Sequence, residues 1–283
     1  MPSPETDLDE QPPAPVSRAG RNLPAAIAVG LSLGGLILGT IWSPYPWLFI
    51  IVVCLASAVG TLEVVTALRS LGAQPALAPL LLGGAAMIVV AYRYGATELF
   101  LGFAVTVVCC VVWRIGETEL GALRDLSASV FTAAYVPLLL GFAGLMTAQD
   151  DGPARVTAVV ATVVASDTGG YIAGVLFGKH PMAPSVSPKK SWEGFAGSTL
   201  FCAVAGAIFF WTLFDASPWL GILFGLAVVC SATLGDLGES MIKRDIGIKD
   251  MGSLLPGHGG LMDRLDSILP TVAVGWALLT VLL

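Results

Sequence analysis

Between Asp236 and Asp266 an otherwise apolar chain gathers ten charged residues and a histidine. Asp236, Glu239, Ser240 and Lys243 are spaced i, i+3, i+4 and i+7, so one face of a helix carries two carboxylates, a hydroxyl and an ammonium. Asp263 and Asp266 likewise share a face. Oxygen ligands of this kind suit a hard cation such as Mg²⁺, which takes one or two protein carboxylates and completes its shell with water and phosphate oxygens. The neighbouring lysines suit phosphate oxygens. For Asp236 and Asp263 the alternative is a structural ion pair with Arg244 or Arg264.

A second polar element is KHPMAPSVSPKKSWEG, residues 179–194, whose three lysines, three serines and three prolines form a semi-rigid basic segment. Ordinary positive loop charge, or attraction to anionic lipid, explains it equally well. His180 reads as a loop residue. His258 stands between Pro256-Gly257 and Gly259-Gly260, where glycine lets backbone approach a ligand closely; hydrogen bonding within the loop serves as well as catalysis. Gly170, Gly174 and Gly178 fit close helix packing better than binding.

The elements that must position these groups are membrane helices. Mean hydropathy is +0.83, 55% of residues are hydrophobic, 12% are charged, and apolar runs of about 18 to 25 residues recur. The expected fold is an all-α polytopic bundle of about nine spans, near 24–43, 46–68, 75–92, 96–114, 126–147, 154–178, 194–213, 218–243 and 262–283. Three regions follow: a disordered cytosolic tail over 1–22, N-terminal transmembrane helices over 23–150, and a catalytic transmembrane region with cytosolic loops over 151–283. The tail does not read as a signal peptide. Cys54, Cys109, Cys110, Cys202 and Cys230 all fall in apolar runs and read as packing residues. Aromatic residues Trp42, Tyr45, Trp47, Trp211 and Trp219 fall near span ends, where the interface favours them.

Basic residues set the orientation. Lys179, Lys189, Lys190, Lys243, Arg244 and Lys249 place the loops after the sixth and eighth spans in the cytosol. The amino terminus is then inside, the carboxyl terminus outside, and Arg93 and Arg155 are outward exceptions. Asp167 lies about 16 Å below the cytosolic end of the sixth span and Asp236 about 10 Å deep in the eighth, from a rise of about 1.5 Å per residue. A water-filled funnel satisfies carboxylates at such depth and lipid does not.

Three segments carry a resemblance to a known family: SDTGGYIAGVLFGKH from Ser166, APSVSPKKSWEG from Ala183, and GDLGESMIKRDIGIKDMGSLLPGHGGLMDRLDS from Gly235. In these the chain resembles the phosphatidate cytidylyltransferases, or CDP-diacylglycerol synthases, with Gly170 where many members have alanine. The resemblance covers roughly the last 120 residues. It implies transfer of the cytidylyl group of CTP to phosphatidic acid, giving CDP-diacylglycerol and pyrophosphate. It implies Asp236, Asp263, Lys243 and Arg244 as catalytic residues, with Asp236 and Asp263 holding Mg²⁺ and a second cation as an open option. The implied substrate-binding set is Asp167, Ser187, Lys189, Lys190, Ser191, Glu239, Ser240, Lys249, Asp250, His258, Arg264 and Asp266. Asp167 could instead hold a lysine, and Ser191 could instead cap the helix beginning near Trp192.

Expected partners are CTP, phosphatidic acid and membrane lipids, with no nucleic acid and with a homodimer suggested by the family. A bacterial inner membrane is the expected home, with the active site facing the cytosol. The rival reading is an ion-coupled transporter, which also buries carboxylates among apolar helices; it would place its site near the midplane and show repeat symmetry, and the sequence has no strong repeat.

Overall fold

The computed structural model of the chain describes residues 23–116, 121–252 and 259–283. The acidic tail over 1–22 lies outside these. The helices are α1 (Leu23–Ile41), α2 (Trp47–Ser70), α3 (Leu77–Tyr94), α4 (Ala96–Ile115), α5 (Ala122–Ala133), α6 (Leu139–Thr147), α7 (Gly152–Phe177), α8 (Trp192–Leu213), α9 (Pro218–Ile246), α10 (Met262–Leu265) and α11 (Ile268–Leu282). Among the described residues eight segments are long and apolar enough to cross a membrane, with 122–147 and 262–282 each counting as one. Within α1, Gly30–Ile41 is a shorter apolar helix, so the described residues show eight such spans beside the nine expected. The molecule is thus the all-α polytopic membrane protein that its apolar runs imply.

Local chemistry explains the element ends. Pro153 and Pro218 stand in the first turns of α7 and α9, where the missing N–H costs nothing. Gly247 ends α9 at a φ of 80°, its N–H donating to the Arg244 carbonyl while the Ile248 N–H donates to that of Lys243. Between α5 and α6 the span does not break at Pro137. The backbone widens instead into a π-turn over Ala134–Leu138, which accommodates the proline ring and its absent donor within a continuous crossing.

The C-terminal half is held by close backbone approach. Helices α7 and α8 pack tightly, and a Cβ placed on Gly169 would lie 2.7 Å from the carbonyl oxygen of Gly197. Small residues are what permit such contact where lipid supplies no hydrophobic drive between helices. Trp42 Nε1–H donates to Thr157 Oγ1 at 3.0 Å, tying the end of α1 to α7. Trp42, Tyr45, Trp47, Trp211 and Trp219 are all exposed at helix ends.

The basic segment after α7 is more ordered than its sequence suggests. It forms an antiparallel hairpin, β1 (Pro181–Ala183) with β2 (Ser187–Ser191). Two short strands carrying two prolines, with a third in the turn between them, give no period-two signal in a sequence. The hairpin is rooted through Glu193 in the first turn of α8, whose Oε2 accepts the N–H groups of Lys179 and His180 at 3.1 and 3.2 Å.

At the same end of the bundle the tip of α4 is clamped to the start of α5. Arg114 Nη2 meets Asp125 Oδ2 at 2.9 Å with side chains only 6% and 2% exposed, and Asp125 Oδ1 accepts Gln74 N–H at 2.8 Å. Removing one member of a buried pair leaves desolvated groups without their counterpart, at about 3–5 kcal/mol. Asp125→Ala is therefore expected to lower the thermal midpoint of the detergent-solubilised protein sharply. An unchanged midpoint contradicts a stabilising clamp.

Candidate active site

Helices α7, α8 and α9 and the hairpin enclose a cavity of about 320 Å³. Six of the expected site residues line it: Asp167, Ser187, Lys189, Lys190, Ser191 and Asp236. Asp167 comes from α7, ten residues before its end, or about 15 Å along the helix axis. Its exposure is to this cavity, which answers how a carboxylate can sit at that depth. Ser191 also caps α8, its Oγ accepting the Gly194 N–H at 3.1 Å.

Two acid–base contacts organise the wall. Lys190 Nζ reaches across from β2 to Asp236 Oδ2 at 2.6 Å, and Ser240 Oγ donates to Asp236 Oδ1 at 3.3 Å. Beside them Arg244 Nε donates to the Val186 carbonyl at the hairpin tip, at 3.4 Å. The hairpin is thus latched to α9 at both ends of its second strand.

The other expected residues form a network next to the cavity. Lys243 Nζ lies 2.7 Å from Asp263 Oδ1 and 3.2 Å from Glu239 Oε1. The longer contact is an ion pair without hydrogen-bond geometry, because both oxygens of the fully buried Glu239 lack a hydrogen-bond partner. Asp263 also accepts the N–H groups of Gly260 and Met251 at 2.7 and 3.0 Å. Asp266 accepts the Ser267 N–H at 2.6 Å and its hydroxyl at 3.1 Å. Lys249, Arg244 and Arg264 are exposed and Asp250 is half-buried. His258 lies outside the described residues.

Asp236 and Asp263 therefore occupy different surroundings. Asp236 faces the cavity, while Asp263 anchors its own loop and Lys243. The donor set nevertheless fits a hard cation. The charge of Asp236 acts on both Asp167 and Asp266, and Glu239 is buried nearby without a full complement of donors. Among the described residues no three acidic or thiol or imidazole groups converge closely enough to hold an ion by themselves. A bound Mg²⁺ would take most of its shell from water and phosphate, as that ion ordinarily does.

Two residues escaped the sequence reading. Glu63 of α2 accepts the N–H groups of Leu261 and Met262 at the start of α10. Tyr135, in the π-turn, has a buried hydroxyl without a hydrogen-bond partner, within range of the charges of Glu239, Asp266 and Asp236. The signal for Glu63 was present, since an ionisable residue inside an apolar span is a functional candidate on that ground alone.

Fold and site together define a membrane-embedded helical protein with a cavity lined by two lysines and two aspartates at one end of the bundle. The model for the Cytidylyltransferase family matches residues 24–282, and the chain belongs to that family. Similar proteins include the phosphatidate cytidylyltransferase of Mycobacterium leprae (strain TN), 48% identical over 94% of this chain and 90% of the relative. That of Mycobacterium tuberculosis (strain ATCC 25618 / H37Rv) is 46% identical over 99% of this chain and 89% of its own length. Phosphatidate cytidylyltransferase 5, chloroplastic, of Arabidopsis thaliana is 28% identical over 96% and 75%.

The Lys243 network gives a direct test. Lys243→Met leaves Glu239 and Asp263 facing each other without the ammonium, with an expected cost of about 3–5 kcal/mol. Adding Glu239→Gln removes one of those charges, so the double variant should melt above Lys243→Met alone. Simple additivity of the two midpoint shifts would show that the groups are not coupled.

Proposed function

We infer that this chain transfers the cytidylyl group of CTP to phosphatidic acid, releasing CDP-diacylglycerol and pyrophosphate. The observation that carries the reading is a cavity joining two lysines and two aspartates within a membrane bundle of the Cytidylyltransferase family. Its relatives of nearly equal length are named for phosphatidate as substrate. In the reaction an oxygen of the lipid phosphate bonds to the α-phosphorus of CTP as the bond to the β-phosphate oxygen breaks. Both reactants are polyanions, so charge neutralisation and alignment dominate. Phosphatidate is already ionised near neutral pH, and no strong general base is needed.

Lys189 and Lys190 are placed to receive phosphate oxygens at the cavity wall, and Lys243 and Arg244 to hold the charge beneath and beside it. Asp236, with Asp263, would hold Mg²⁺, and a second cation would find further carboxylate charge in Asp167, Asp266 and Glu239. Bound Mg²⁺ supplies Lewis-acid neutralisation of the transferring phosphate. Ser187 and Ser191 offer hydroxyls to the same region. We further propose a bacterial inner membrane location with the hairpin end in the cytosol, where CTP is supplied. A homodimer belongs to this reading on family resemblance alone.

The test is pyrophosphate release from CTP and phosphatidate by the purified protein. Asp236→Asn is expected to abolish it with the thermal midpoint nearly unchanged, and Lys189→Gln with Lys190→Gln to cut kcat/KM about ten-fold or more. Substantial turnover by Asp236→Asn removes the assignment. For orientation, a single cysteine replacing Ser187, in a background without the five native cysteines, should react with an impermeant thiol reagent only from the cytosolic side. One replacing Asp215 should react from outside. Reversed labelling would separate the cavity from its CTP.

A further inference from the structure

Helix α10 is four residues long, too short to sustain its own hydrogen bonding, yet it carries Asp263 and leads directly to Asp266. What fixes it comes from α2. Glu63 lies seven residues before the end of that helix and is 9% exposed. Its Oε1 accepts the Leu261 N–H at 3.0 Å and its Oε2 the Met262 N–H at 2.8 Å. Both amides would otherwise be among the orphan donors of a helix start. A Cβ on Gly260 would lie 2.6 Å from Oε2, and one on Gly252 would collide with the same carboxylate. One turn earlier, a Cβ on Gly60 would lie 3.0 Å from Met262 Sδ, so the fully buried methionine seats on the same helix face.

Met251 and the stretch from Gly260 to Asp263 are consequently held by two carboxylates. Asp263 gathers Met251 N–H, Gly260 N–H and Lys243 from within. Glu63 gathers Leu261 and Met262 from 198 and 199 residues away in sequence. The first arrangement ties Met251 to Gly260. The second fixes the depth of Leu261 and Met262 against the bundle.

We propose that Glu63 is a positioning residue for the cytidylyl transfer, holding the Gly260–Met262 backbone so that Asp263 and Asp266 keep their register against Lys243 and Asp236. This rests on the reaction reading above. A carboxylate is required chemically, because two N–H groups converge and each needs an acceptor. Glutamine has the same volume but turns an NH₂ group toward one of those donors. Aspartate keeps both acceptors and withdraws them by a methylene. Misplacing a catalytic group by about an ångström costs rate far more than ground-state binding.

The experiment compares wild-type, Glu63→Gln and Glu63→Asp as full-length protein in detergent. It measures pyrophosphate release per folded molecule, KM for CTP, thermal midpoint, and amide hydrogen exchange over 259–266. Glu63→Gln is expected to lower kcat about ten-fold or more with KM for CTP within about three-fold, and to speed exchange at Leu261 and Met262. Glu63→Asp should fall between. Asp125→Ala supplies the control for plain destabilisation, with a lowered midpoint and normal kcat where it remains folded. Wild-type kcat per folded molecule in both Glu63 variants, or unchanged exchange over 259–266, overturns the proposal while the reaction reading stands. A wild-type protein that releases no pyrophosphate overturns the reaction reading, and this proposal with it.

Discussion

Charge buried among leucine, valine and phenylalanine must be answered locally, and at Lys243 this requirement shapes the surrounding structure. Its ammonium meets Asp263 and Glu239 from the last turns of α9. That helix has 29 residues, about 43 Å of length against a hydrocarbon core of about 30 Å. The excess of about 13 Å carries Glu239, Ser240, Lys243 and Arg244 past the apolar zone and leaves Asp236 just inside it. Gly247 ends α9 in a left-handed turn, and Asp263 reaches Lys243 because the chain re-enters as α10 beside that end. The polar network and the re-entry are thus one constraint.

The hairpin meets the same requirement from the other side. Lys190 neutralises Asp236 across the cavity at 2.6 Å, while Arg244 and Glu193 hold the hairpin's tip and root. A phosphate that draws Lys190 away leaves Asp236 facing the charges of Asp167 and Asp266 with one cation fewer. On the proposed reading, binding of an anion and of a cation at this wall would be thermodynamically linked, each favouring the other. The Lys190–Asp236 pair meanwhile leaves this wall neutralised.

Much of the architecture was legible because its signals are strong and one-dimensional. Spans of about twenty apolar residues, Pro153 and Pro218 at helix starts, and the i, i+3, i+4, i+7 face of α9 all survive without tertiary context. The one-face argument also put Asp236 beside Ser240 and Glu239 beside Lys243, and the structure pairs them so. The hairpin was not legible, because prolines erase strand periodicity in segments of three and five residues. Nor was the different employment of Asp236 and Asp263. Identical side chains were separated only by which backbone N–H groups the fold brought to them.

Glu63 shows the remaining limit most clearly. The polar motifs lie in the last 120 residues, but the unit that holds them in place does not end there. Two amides of α10 find their acceptors on α2, and the buried hydroxyl of Tyr135 in the π-turn faces the same acidic groups. Local pattern identifies groups able to do chemistry; it carries no information about a partner nearly two hundred residues away whose only mark is one carboxylate in an apolar helix. For a membrane protein that mark is informative, since an unanswered charge at depth costs several kcal/mol and persists only where the fold supplies its donors. Glu63 is accommodated in α2 because Leu261 and Met262 supply those donors, and they keep their place because Glu63 accepts them.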